Sequence, residues 1–76
     1  MTNIEAITNN LTAKYPGLLE DDVTVVDYYF IDCAKNQEIP VKDFKDIKNY
    51  LLLHKIKDFA MVILFSNNTI GYRLHV

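Results

Sequence analysis

DVTVVDYYFIDCAK, residues 22–35, can be read on two periods, and the choice between them decides the fold. On a helical period Val23, Val26, Phe30, Cys33 and Ala34 share one face. Val, Tyr, Phe and Ile also favour pleated backbone, so a strand from Thr24 to Ile31 competes. Two signals favour a helix over about Asp22–Lys35: the small residues Cys33 and Ala34 at helical spacing, and the acids Glu20, Asp21 and Asp22 where the positive end of a helix dipole would lie. On that reading Asp21, Val25, Tyr28 and Asp32 project away from the apolar stripe, with Tyr29 at its edge. Such an acidic, aromatic face docks well on protein, because tyrosine offers a large rigid apolar body with a polar tip.

Upstream, Thr2-Asn3-Ile4-Glu5 reads as a capping box that opens a helix over about Asn3–Lys14. Ile4, Ile7 and Leu11 form its stripe, and Tyr15-Pro16-Gly17 ends it. Downstream, Asn36-Gln37-Glu38 is a polar break. Pro40 suits the first turn of a third helix that runs to about His54, with Phe44, Ile47 and Leu51 inward. Met61–Phe65 is continuously apolar, Ser66-Asn67-Asn68-Thr69 is turn-like, and Ile70, Tyr72, Leu74 and Val76 alternate with Gly71, Arg73 and His75. The expected fold is one α+β domain over residues 1–76: three helices followed by a C-terminal β-hairpin packed on them, an order shared with winged helices. A strand apolar on both faces needs cover on both sides, and a dimer partner or a ligand would supply the second.

The bulk composition narrows the function. A chain of 76 residues, half of them hydrophobic, with two Gly and two Pro, is a single globular unit. The lone Cys33 fits a reducing compartment, the polar opening Met1–Asn10 shows no secretory signal, and a cytoplasmic protein is expected. Cys33, on the helical stripe with Asp32 beside it, reads as a buried structural cysteine rather than a nucleophile. His54 and His75 lie in different elements, no calcium-loop spacing occurs, and two glycines cannot make a phosphate-binding loop. No catalytic residue, metal site or cofactor is therefore expected, and the chain reads as a non-enzyme. Residues 1–40 hold two lysines against seven acids (net −5), and residues 41–76 hold six cations against three acids (net +3). That polarity suits steering toward a charged partner, or head-to-tail pairing.

Three functions are carried forward. The first is a small regulator, inhibitor or assembly factor of the kind mobile genetic elements encode. It would bind a partner protein, such as a basic nucleic-acid-binding protein, through Asp21, Val25, Tyr28, Tyr29 and Asp32. The second is a winged-helix DNA-binding regulator that uses Lys42, Lys45, Asn49 and Arg73. The run Asn68-Thr69-Ile70-Gly71-Tyr72-Arg73-Leu74 resembles the wing strand of response-regulator DNA-binding domains, which ends in Gly-Tyr-Arg-hydrophobic, but it spans seven residues of 76 and identifies no family. Asp43, Asp46 and the acidic net charge weigh against phosphate binding. The third is a homodimeric structural protein whose hairpin edges pair across a two-fold axis.

Overall fold

A computed structural model describes residues 2–19 and 22–74, with residues 72–74 described by their backbone alone. The chain runs α1 (Asn3–Lys14), β1 (Val25–Asp32), β2 (Gln37–Ile39), α2 (Phe44–Leu53), β3 (Phe59–Phe65), β4 (Ile70–Leu74). The strands form a single antiparallel sheet in the order β2-β1-β3-β4. The α+β class is as expected. The three-helix arrangement with a terminal hairpin is not: the described residues form two helices, and the hairpin β3–β4 is half of a four-stranded sheet.

The correction falls on residues 22–35. Val25–Asp32 is extended and pairs along its length with β3, from Val25 opposite Phe65 to Asp32 opposite Phe59. Six of its eight residues are β-branched or aromatic, types that pack well on a pleated surface. The period is two: Tyr28, Phe30 and Asp32 are buried on one side, while Asp27, Tyr29 and Ile31 alternate with them. Cys33 and Ala34, which suggested a helix, lie in the turn to β2. There Asp32 Oδ1 accepts from the Ala34 amide at 3.1 Å and the Lys35 amide at 3.4 Å, and Asn36 takes φ 53°. Cys33 is consequently exposed rather than buried.

Helix α1 matches its expected span. The Thr2 hydroxyl accepts from the Glu5 amide at 3.1 Å and donates to the Glu5 carboxylate at 3.2 Å, a capping exchange made through the side chains. The chain leaves the helix at Tyr15, and Gly17 supplies φ 90°. Helix α2 is shorter than expected. Pro40 sits just after β2, and the N-cap is Asp43, whose carboxylate accepts from the Lys45 amide at 2.8 Å.

Both helices cover one face of the sheet. Ile7 and Leu11 from α1 join Val25, Tyr28, Phe30, Ile39, Met61 and Ile63 in a single core, against which Ile47, Tyr50 and Leu51 of α2 pack. Phe44 of α2 sets its ring edge-on against Tyr28 (5.5 Å) and Phe30 (6.0 Å). Between β3 and β4, Asn68 takes φ 67° in the tight turn, and Gly71 lies opposite Ile63. A Cβ at Gly71 would come within 2.8 Å of the Phe65 ring, which therefore uses the space that glycine leaves.

Tyr28, 5% exposed, ties the two helices to the sheet. Its hydroxyl accepts from the Asn3 side-chain amide at 2.7 Å and donates to the Lys42 carbonyl at 2.5 Å. Tyr28→Phe should cost about 1–3 kcal/mol, because both partners lose a bond in a part-buried place. Urea unfolding measures it, and an unchanged midpoint would mean that water replaces the hydroxyl without loss.

Candidate interaction surface

Among the described residues no helix covers the opposite face of the sheet. Strand geometry places Tyr29 and Ile31 of β1, Ala60, Val62 and Leu64 of β3, and Ile70 of β4 on it, and none of these belongs to the core shared with the helices. The backbone register sets Tyr72 opposite Val62 and Leu74 opposite Ala60. Ala60 and Val62 are only 2% and 1% exposed, whereas Tyr29, Ile31 and Leu64 are half-buried and Ile70 is 53% exposed. Partly exposed apolar side chains on β1, β3 and β4 therefore border an enclosed centre at Ala60 and Val62. Single exposed apolar residues are ordinary, whereas several on one side of a sheet make that side a candidate for contact.

The one acid among the described side chains of β1 on this side, Asp27, carries its own counter-ion. Lys42 Nζ lies 2.8 Å from Asp27 Oδ1 and 5.2 Å from the centroid of the Tyr28 ring. The Lys42 hydrogen bond, with the Tyr28 amide, holds the Asp27 carboxyl below its usual range, and the same contact raises the Lys42 ammonium. Both side chains are half exposed, so the pair adds little stability. Its geometry explains why Lys42 sits here: β2 pairs only with Phe30–Asp32, and the segment after it, which carries Lys42, lies against the N-terminal half of β1.

The five residues expected to form one docking face do not. Val25, Tyr28 and Asp32 are buried, Tyr29 stands on the helix-free face, and Asp21 lies outside the described residues. An alternating strand sends neighbours to opposite sides, so no single surface holds them. Of the residues considered for DNA, Lys45 and Asn49 are exposed on α2, Lys42 is held by Asp27, and the Arg73 side chain lies outside the described residues. The winged order is absent, since β3 pairs with β1 at the centre of the sheet as well as with β4.

Polar chemistry gathers in one shallow place. A cleft of about 110 Å³ is lined by Asp32, Lys35, Glu38, Tyr50 and His54, with the His54 ring stacked on Tyr50 at 4.1 Å. It is well below the ~300 Å³ at which small-molecule sites begin. The exposed Cys33 thiol is raised above its usual range by desolvation, then by the charges of Asp58 and Asp32, which disfavours the nucleophilic thiolate. Among the described residues no group of three His, Cys, Asp or Glu side chains gathers to hold a metal. Among them, too, no helix is long and apolar enough to cross a membrane.

Ile31, Val62, Leu64 and Ile70 were absent from the residues picked out from sequence as binding candidates. The signal for them was present in the two-faced apolarity of Met61–Phe65, but it pointed to a face only once β1 was known to lie beside β3. No family model, no curated protein and no solved structure matches the chain.

Proposed function

We propose that this protein is a non-enzymatic interaction module that binds a protein surface through the helix-free face of its sheet, as a small regulator or assembly factor does. The observation that carries the reading is the set of partly exposed apolar side chains Tyr29, Ile31, Leu64 and Ile70 on one side of the sheet, around the enclosed Val62. Burying such a surface releases about 25 cal/mol per Å² of apolar area, enough for a specific complex if the fit is close. Tyr29 belongs to both the earlier candidate set and this surface. It is the residue type most enriched at binding hot spots along with tryptophan and arginine.

Ile70→Lys tests the reading with little risk to the fold, because Ile70 is already half in water. Tagged protein should cross-link to a protein partner in nuclease-treated lysate of expressing cells, and the variant should lose at least tenfold of that yield. Nucleic-acid binding would instead disappear with nuclease and fall steeply with salt. Equal cross-linking by the variant and the unaltered chain would remove this face from consideration.

A further inference from the structure

We infer that Asp27 and Lys42 form a clasp that closes the free edge of β1 to the addition of another strand, and that a chain without the clasp self-assembles through that edge.

The edge exists because β2 is short. β1 has eight residues, and β2 pairs with Phe30, Ile31 and Asp32 alone. On that side Val25–Tyr29 has no neighbouring strand among the described residues. Backbone groups left unpaired along a strand edge are a template for a further strand. The local sequence adds to the hazard. Val25–Ile31 reads VVDYYFI: six of seven residues are β-branched or aromatic, none is Gly or Pro, and Asp27 is the only charge. Short segments of high β-propensity and low net charge are those that stack into repeating strands. Val26, inside the segment, is 52% exposed.

The structure sets three obstacles along this edge. The register shifts between Val25 and Asp27, and such an irregularity breaks the even row of donors and acceptors that an added strand needs. Next, Tyr28 lies opposite Ile63 of β3, yet its amide donates to Asp27 Oδ1 at 2.8 Å, so this donor points away from β3 and is already taken. Finally, Lys42 Nζ donates to the same Asp27 oxygen at 2.8 Å, while the Lys42 carbonyl accepts from the Tyr28 hydroxyl at 2.5 Å. The Tyr28 side chain belongs to the core under the helices, and Asp27 alternates to the other side of the strand. Lys42, tied at its carbonyl to one and at its ammonium to the other, therefore crosses the edge.

The ion pair is half exposed and adds little stability, so its role lies in what it excludes. An incoming strand would have to take the Tyr28 amide from Asp27 and displace Lys42. In a solution of this protein alone, the strand available to do so is the same edge of a second copy.

Sedimentation velocity over a micromolar concentration series tests the clasp. Asp27→Ala removes both the acceptor and the anchor of Lys42. Lys42→Ala keeps the carbonyl that Tyr28 uses and removes only the ammonium. Each variant, checked for native circular dichroism, should self-associate at a concentration at least tenfold lower than the unaltered chain. Lys42→Ala decides the case if Asp27→Ala does not fold. Lys45→Ala, at an exposed lysine of α2, should behave as the unaltered chain does. Val26→Lys added to Lys42→Ala returns a charge to the same edge and should reverse the association. Folded variants that associate no more readily than the unaltered chain would overturn the inference. So would association that Val26→Lys leaves in place, because the contact would then lie on another surface, such as the β4 edge.

Discussion

Phe30→Ala should lower the unfolding free energy by about 3–5 kcal/mol, the largest effect expected of any single truncation in the chain. The Phe30 ring stands edge-on to Tyr28 and to Phe44, with centroids 6.0 Å away in both directions. Its backbone pairs with Met61 on one side and Ile39 on the other. Removing the ring therefore opens a void where three strands and α2 converge, and strips two aromatic edge contacts worth about 0.5–1.5 kcal/mol each beyond their buried area. A 76-residue domain holds roughly 4–11 kcal/mol in total. The variant should sit near the edge of unfolding, with its urea midpoint moved most of the way toward zero. A loss under about 1 kcal/mol would contradict the central position of this ring.

Gly71→Val should cost about 1–3 kcal/mol, despite valine's better fit to extended backbone. The added Cβ would fall within 2.8 Å of the Phe65 ring, and the branching methyls would widen the clash. The ring would have to leave its seat over the β3–β4 pair. Phe65→Leu in the same chain should restore part of the loss, because the smaller side chain vacates the contested volume. A double-mutant cycle should then show a favourable coupling of about 1 kcal/mol. Simple additivity of the two changes would show that the Phe65 ring swings aside at no cost.

Local signals in the sequence told most where one segment decided its own conformation. The Thr2 capping exchange, the Pro16-Gly17 stop and the Asn68 turn are short-range devices, and α1 and the β3–β4 pairing follow from them. Residues 22–35 are different. Val23, Val26, Phe30, Cys33 and Ala34 do fall at helical spacing, while six of the eight residues Val25–Asp32 are β-branched or aromatic, so the segment carries both signals at once. What decides for a strand is β3, which lies far along the chain and offers a register that buries Tyr28 beside Ile63 and Phe30 beside Met61. Partner-dependent conformation of this kind is why strand preference depends on context more than helix preference does. The candidate surface was partly hidden for the same reason. Apolar residues on both sides of β3 announced that two covers are needed, but the identity of its neighbours, and hence the shape of the open face, depends on pairings made in space.

The central β1–β3 pairing spans 27 residues at its nearest point, Asp32 with Phe59, and 40 at its farthest, Val25 with Phe65. A nascent chain leaving the ribosome therefore presents residues 22–35 long before their principal partner has been made. Until then the segment has only the three-residue ladder to β2, too little to hold an isolated hairpin in water. Productive folding must wait for nearly the whole chain, and the loop closure that joins these distant stretches governs its speed. The segment with two plausible conformations is thus also the one that spends longest without the contacts that choose between them.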